Sequence, residues 1–164
     1  MLSEPKIIER PPQPYLAIRE TVTMPFGQVV DRVYPEFFAW LARHGVAPAD
    51  APIIKYNLID MDGELELEFG APVASAVEGD GRVIAGVLPG GRFGSITWQG
   101  GYDKLIDANG ALIDWARREG IRWDMEETPK GDRFGCRLEI YRTDPGREPD
   151  SSKWLTDVVI RIAD

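Results

Sequence analysis

Two stretches with the apolar spacing of an amphipathic helix lie 75 positions apart, and this repetition constrains the fold more than any other feature. The spacing predicts helices over residues 28–44 and 102–119. Three identical residues recur at this constant offset: Trp40, Arg43 and Gly45 correspond to Trp115, Arg118 and Gly120. We therefore expect two similar halves, approximately residues 1–78 and 79–164.

Strand patterns surround both helices in the same order: a strand, a glycine-containing loop, the helix and two further strands. The predicted strands cover residues 6–9, 15–22, 53–59, 64–69, 82–88, 92–98, 136–143 and 155–162, and the predicted loops cover residues 70–81 and 122–135. The order predicts a single α+β domain of two β-α-β-β halves related by a pseudo-twofold axis. Its antiparallel sheet would carry the two main helices on one face and a ligand cleft on the other.

The composition is typical of a soluble globular domain, with 43% hydrophobic and 28% charged residues. A formal net charge of −8 excludes a general nucleic-acid-binding protein, because the chain has no excess of Lys and Arg for phosphate groups. No apolar run is long enough to span a bilayer, and no signal-peptide pattern is present. We expect a cytoplasmic protein that does not contact a membrane. The lone cysteine, Cys136, excludes an intrachain disulfide and is predicted to be a buried, unreactive thiol.

The stretch 136–143 alternates as a β-strand does, and a turn sequence at residues 144–146 ends it. The apolar side chains fall on one side of this strand: Cys136, Leu138 and Ile140. We expect that side to pack under the helices. Glu139 and Tyr141 would then lie on the opposite face, exposed either to solvent or to a ligand cleft.

Three stretches of the chain resemble the GyrI-like small-molecule-binding domains. They are residues 13–25, the sequence WQGGYDKL from residue 98 running on to Trp115, and the sequence LEIYRTDP from residue 138. The last is similar to the family's glutamate strand, which ends in Asp-Pro. Together the likeness extends over nearly the whole chain.

The resemblance implies a duplicated α+β sheet with a pocket at the seam between the halves. In AraC-type and MerR-type multidrug regulators with such domains, a glutamate on the matching strand faces aromatic walls and receives lipophilic cations. Glu139 occupies that position here. Some stand-alone relatives resemble hydrolases that open strained electrophilic natural products with the same glutamate and a nearby tyrosine, and others are associated with gyrase inhibition. The chain has no helix-turn-helix segment, so direct binding to nucleic acid is not expected.

Glu139 and Tyr141 are the central candidates for a functional site. Alternation alone favours a solvated Glu139, since polar residues on the second face of a strand are usually exposed. A carboxylate enclosed by aromatic rings would instead select cations or act as a general base. Four aromatic residues are predicted as further pocket walls: Trp98, Trp123, Tyr56 and Phe69. Core packing is the alternative for each and is the commoner fate of tryptophan.

The sequence contains no pattern that is typical of a metal or cofactor site. One histidine, His44, and one cysteine are too few for a zinc site, and no Ser-His-Asp arrangement can be assembled. The Gly-Gly pairs lack the lysine and hydroxyl of a phosphate-binding loop. We expect no metal and no cofactor. A row of alternating glutamates is predicted to form a solvated face: Glu64, Glu66 and Glu68.

Three functions follow from these observations. The first is binding of hydrophobic, cationic or electrophilic small molecules in a cleft between the halves. The second is hydrolysis of a reactive electrophile by Glu139 and Tyr141. The third is interaction with a protein partner, as in a gyrase inhibitor, and a homodimer is also compatible with the sequence.

Overall fold

A ten-stranded antiparallel sheet carries two helices in the computed structural model, which describes residues 1–164. The helices are α1 (Gly27–Arg43) and α2 (Leu105–Glu119). The strands are β1 (Lys6–Arg10), β2 (Gln13–Thr23), β3 (Ile53–Ile59), β4 (Glu64–Pro72), β5 (Val83–Leu88), β6 (Gly91–Gln99), β7 (Met125–Thr128), β8 (Gly131–Phe134), β9 (Arg137–Tyr141) and β10 (Leu155–Arg161). The predicted mixed α+β architecture with two main helices is confirmed.

The strand order places β3 and β9 side by side at the centre of the sheet. The order is β1-β6-β10-β9-β3-β4-β2-β5, and the β7–β8 hairpin joins it by pairing with β3. Outward from the β3–β9 seam, the succession β3-β4-β2 on one side matches β9-β10-β6 on the other. This order is compatible with the predicted internal duplication, which stays a prediction until the halves are superposed.

Both helices form where the apolar spacing predicts them, and neither is long and apolar enough to cross a membrane. Each packs one stripe of side chains on the sheet: Val33, Phe37, Trp40 and Leu41 of α1, and Leu105, Ala108, Leu112 and Ala116 of α2. Gly45 and Gly120 follow the helices at φ 65° and φ 68°, a left-handed conformation that glycine adopts without steric cost.

Two predicted loops contain strand residues. Residues 70–72 belong to β4 rather than to a loop. Gly70 allows β2 and β4 to approach closely, because a Cβ at this position would lie 2.0 Å from the Leu16 carbonyl oxygen. The predicted loop 122–135 contains β7 and β8. Their sequences, MEET and GDRF, are too polar to show apolar alternation, so the sequence gives little indication of this hairpin.

The sheet buries residues on both of its faces. On the helix face, one cluster joins α1 to β2 and β4, and a second joins α2 to β6 and β10. The opposite face buries a third cluster without any helix residue: Tyr15, Ala17, Ile53, Leu88, Phe93, Cys136, Leu138, Ile140 and Val159. Side chains from six strands meet there, so strands alone cover Cys136, Leu138 and Ile140. The prediction that these three residues pack under the helices is wrong, and Glu139 consequently lies on the helix face.

Candidate functional site

A buried carboxylate lies at the centre of the helix face. Glu139, on β9, is 6% exposed. Its Oε1 accepts hydrogen bonds from the hydroxyl groups of Tyr56 at 2.7 Å and Tyr141 at 2.6 Å. Its Oε2 accepts one from the side-chain amide of Asn109 at 3.0 Å. All three direct partners are neutral donors, so no opposite charge touches the carboxylate.

The strand register brings these groups together. β9 pairs with β3 so that Glu139 lies opposite Ile54, and Tyr56 follows two residues later on the same face of β3. Tyr141 is two residues after Glu139 on its own strand. Asn109 reaches the carboxylate from α2, which packs over this half of the sheet. Two strands and a helix therefore fix the donors around Glu139.

Aromatic rings surround the carboxylate. Tyr34, on α1, donates its hydroxyl to the Ile53 carbonyl oxygen, and its ring meets that of Phe69 edge-on at 5.8 Å. On the α2 side, the ring of Tyr102 lies 5.5 Å from that of Tyr141. Tyr102 in turn lies 4.8 Å from Trp154. Both helix-side walls of the site are thus aromatic, which suits apolar contact with a ligand.

The phenols near Glu139 stay protonated over the physiological range. Burial, and then the negative charge of Glu139, raise the pKa of Tyr56 and of Tyr141 well above the usual tyrosine value. Burial and the same charge raise the pKa of Tyr34. Hydroxyl groups that keep their protons remain hydrogen-bond donors. Tyr56 and Tyr141 therefore donate to Glu139 as neutral phenols.

Asn109 links the carboxylate to a partly buried guanidinium. Its amide nitrogen donates to Glu139 and to the Leu105 carbonyl oxygen at 2.9 Å, and its amide oxygen accepts from Arg137 Nη2 at 3.0 Å. Arg137 also lies over the Phe134 ring, 4.7 Å from its centroid. Burial lowers the pKa of Arg137 below the usual arginine value, although the guanidinium stays charged at neutral pH.

The structure brings three of the six predicted site residues into direct contact: Glu139, Tyr141 and Tyr56. Phe69 is connected to the site through Tyr34, whose ring it contacts. The two tryptophans do not touch the carboxylate. Trp98 donates its indole N–H to the Gly101 carbonyl oxygen at 2.8 Å and packs against the α2 cluster, as Trp123 does. A ligand-binding role for these residues stays a prediction.

Sequence reasoning missed four residues of the site: Tyr34, Tyr102, Asn109 and Arg137. Tyr34 falls within the apolar pattern of α1 and packs against the cluster beneath that helix. The sequence signal for Asn109 is its position one turn after Leu105, which is buried at the start of α2. The sequence signal for Arg137 is its alternation in phase with Glu139.

A second buried carboxylate lies on the opposite face of the sheet. Glu68 is 1% exposed, whereas Glu64 is exposed and Glu66 is intermediate, so the prediction of a solvated glutamate row is wrong for Glu68. The Tyr15 hydroxyl donates to Glu68 at 2.6 Å, and the Lys55 ammonium lies 3.6 Å away. A polar cavity of about 280 Å³ adjoins this network. No group of three or more His, Cys, Asp and Glu side chains is arranged to hold a metal ion.

Solved structures with a similar fold include two of EcmrR. The EcmrR C-terminal domain has a TM-score of 0.74 at 17% identity, covering 98% of both chains. EcmrR in its DNA complex has a TM-score of 0.78 at 18% identity, and the match covers 98% of this chain and 57% of that one. This chain therefore spans little more than half the length of EcmrR.

Two other similar structures come from separate proteins. A hydrolase from Listeria innocua has a TM-score of 0.61 at 15% identity, covering 98% of this chain and 92% of that one. SAV2435 bound to tetraphenylphosphonium has a TM-score of 0.57 at 11% identity, covering 98% and 94%. Likeness at these identities establishes the fold alone. No protein of curated function matches the sequence.

The sequence itself matches one described family over residues 3–163, which is nearly its whole length. The match includes both helices, the β3–β9 seam and every residue around Glu139. The chain belongs to the family of GyrI-like small molecule binding domains.

Proposed function

We propose that this protein binds a lipophilic small molecule between α1 and α2, with a positively charged or hydrogen-bond-donating group of the ligand held against Glu139. The observation that carries the proposal is a buried carboxylate with no opposite charge in contact with it, enclosed by aromatic side chains. A ligand that supplies a charge or a donor completes the environment of such a group.

The hydrogen-bonding capacity of Glu139 leaves room for a ligand. An ionised carboxylate offers about four lone-pair sites. Tyr56 and Tyr141 share Oε1, whereas Asn109 is the single partner of Oε2. A ligand donor therefore has an acceptor site at Oε2 without displacing a phenol. The rings of Tyr34 and Tyr102 supply apolar surface, and contact with a cation where the ligand carries one.

The relatives support binding of this kind. The family is described by small-molecule binding, and SAV2435 was solved with a lipophilic cation, tetraphenylphosphonium. The EcmrR C-terminal domain matches this chain from end to end. A role as the effector-binding part of a regulatory system, with DNA binding supplied elsewhere, is consistent with this proposal.

Glu139→Gln tests the proposal, because it keeps the side-chain shape and removes the charge. Two probes of similar shape, cationic methyltriphenylphosphonium and neutral triphenylmethanol, are titrated by calorimetry. We expect the variant to bind triphenylmethanol more weakly by about 10- to 100-fold, the scale of a charge-assisted hydrogen bond. Methyltriphenylphosphonium has no hydrogen-bond donor, and we expect its affinity to fall because the attraction of the carboxylate charge is lost. Glu64→Gln, on the exposed end of β4, is the matched control and should change neither affinity. Equal affinities for wild type and Glu139→Gln would refute the proposed site.

Hydrolysis is the second candidate, and one observation favours it: a phenol and a carboxylate are already hydrogen-bonded in the same site. Glu139 would accept a proton from an attacking water molecule, and Tyr141 would donate one to the leaving atom of an opened ring. The fold is shared with a Listeria innocua hydrolase. Incubation with an aryl epoxide distinguishes the candidates. An enzyme forms the diol with wild type and not with Glu139→Gln, whereas a binding protein forms none with either.

A further inference from the structure

We infer that Arg137, acting through Asn109, makes the Glu139 site prefer uncharged hydrogen-bond donors over permanent cations. This inference rests on the proposed binding site and specifies the ligand class that the site takes. Arg137 is a specificity-determining residue in this view, and it need not touch the ligand.

A chain of hydrogen bonds connects Arg137 to Glu139. Arg137, Glu139 and Tyr141 alternate on the helix face of β9. The Arg137 guanidinium donates to the Asn109 amide oxygen at 3.0 Å, and the amide nitrogen donates to Glu139 at 3.0 Å. A single amide group therefore separates the positive charge from the negative charge. Its dipole is oriented by both of them, since each end meets the group of opposite sign.

Neither charge has a salt-bridge partner. Arg137 forms no salt bridge, and its Nε is buried without a hydrogen-bond partner. The charge of Asp132 also acts on Arg137, although no hydrogen bond or salt bridge joins the two side chains. Glu139 likewise forms no salt bridge, and its partners are neutral. Arg137 and Glu139 together carry no net charge, and the Asn109 amide lies between them.

The charges of Arg137 and Glu139 act differently on a cationic ligand and on a neutral one. A permanent cation at Glu139 is attracted by the carboxylate and repelled by Arg137, and burial leaves both interactions weakly screened. A neutral donor still gains the charge-assisted hydrogen bond at Oε2 and meets no such repulsion. The cation must also lose its hydration on entry, which is costly when its charge is not matched by a net negative site. Uncharged lipophilic alcohols, phenols or amides are therefore the favoured class.

A purely structural role for Arg137 makes a different prediction. The guanidinium lies over the Phe134 ring and supports Asn109, so its removal could lower stability. A packing defect would weaken binding of both probe molecules together. A charge effect changes the ratio of their affinities, so the ratio is the quantity to measure.

The test titrates methyltriphenylphosphonium and triphenylmethanol against wild type and two variants that each make the site more negative by one charge. Arg137→Met removes the guanidinium, and Arg137→Gln removes its charge while keeping an N–H group that can donate to Asn109. We expect each to strengthen binding of the cation by about 10-fold relative to triphenylmethanol. Arg137→Gln keeps a polar side chain at this position, so it provides the answer if Arg137→Met does not fold.

Two further variants serve as controls. Arg137→Lys keeps the charge and should keep the wild-type ratio. Arg133→Met removes a half-exposed guanidinium that pairs with Glu66 across β3, and it should also leave the ratio unchanged. A ratio in Arg137→Met and Arg137→Gln equal to that of wild type would overturn the inference while leaving the proposed site intact. Failure of wild type to bind either probe would refute the proposed function itself, and the inference with it.

Discussion

Glu68→Gln should lower the free energy of unfolding by about 2–3 kcal/mol at pH 7, which lies within the range for hydrogen bonds to charged groups. The substitution keeps the shape of a side chain that is 1% exposed. It removes the charge that accepts from Tyr15 at 2.6 Å and from Asn57. It also leaves Lys55, 3.6 Å away with 12% of its side chain exposed, without its counter-charge. Arg19 is half exposed and loses little.

The stability lost in Glu68→Gln should depend on pH, and the pKa of Glu68 sets the direction of that dependence. Burial raises the pKa of Glu68, but hydrogen bonds from Tyr15 and Asn57 and the charges of Lys55 and Arg19 outweigh it, so the pKa lies below the usual glutamate value. A lowered pKa in the folded state stabilises the fold at pH values above the unfolded pKa of about 4.3. That stabilisation disappears as the pH falls through the folded-state pKa. The difference between wild type and Glu68→Gln should therefore be full at pH 7 and shrink below about pH 4.

Urea denaturation at several pH values measures this difference. Subtracting the free energy of unfolding of the variant from that of wild type at each pH cancels the contribution of the other carboxylates. Glu66→Gln is the matched control on the same strand, because Glu66 is more exposed and pairs with Arg19 and Arg133 at 3.7 and 3.5 Å. We expect Glu66→Gln to lower the free energy of unfolding by no more than about 1 kcal/mol, the range for exposed ion pairs. Equal losses for the two variants, or a Glu68 loss that does not change with pH, would refute this account of the network.

Two further predictions concern Trp98 and Cys136. Trp98→Ala should lower the free energy of unfolding by about 2 kcal/mol, because the indole packs on the α2 cluster and donates to Gly101. Denaturation measures this loss, and weaker triphenylmethanol binding at unchanged stability would instead make Trp98 a pocket wall. Burial raises the pKa of Cys136 to about 11, so its thiol should not react with a chromogenic disulfide reagent at pH 8 until the protein unfolds. Equal reaction rates in native and denatured protein would contradict this.

The elements that sequence predicts well are those whose pattern is local. The apolar stripes of α1 and α2 and the glycines that end them depend on residues three or four positions apart. The alternation of β9 correctly placed Glu139 and Tyr141 on one face. Local sequence patterns do not indicate on which face of the sheet the helices pack. The face that they cover depends on how far the sheet curls, and strands alone bury the face that carries Leu138.

The polar part of the site was harder to predict for a related reason. Tyr56 and Glu139 are 83 positions apart and meet only because β3 and β9 pair at the seam. Asn109 and Arg137 look like ordinary surface residues in the sequence. Their role depends on the direction in which α2 faces the sheet. A strand register and a helix orientation are products of the whole core, so no short motif reveals them.

The two buried carboxylates show why one face of the sheet is the better ligand site. Both Glu68 and Glu139 accept a short hydrogen bond from a tyrosine, at 2.6 Å in each case. Glu68 is also paired directly with cationic side chains, Lys55 at 3.6 Å among them, and its charge is compensated within the protein. Glu139 contacts only neutral donors, and its nearest compensating charge lies beyond an amide group. A carboxylate that is satisfied by its own neighbours stabilises the fold. One that is held by neutral donors among aromatic rings keeps part of its affinity for a ligand.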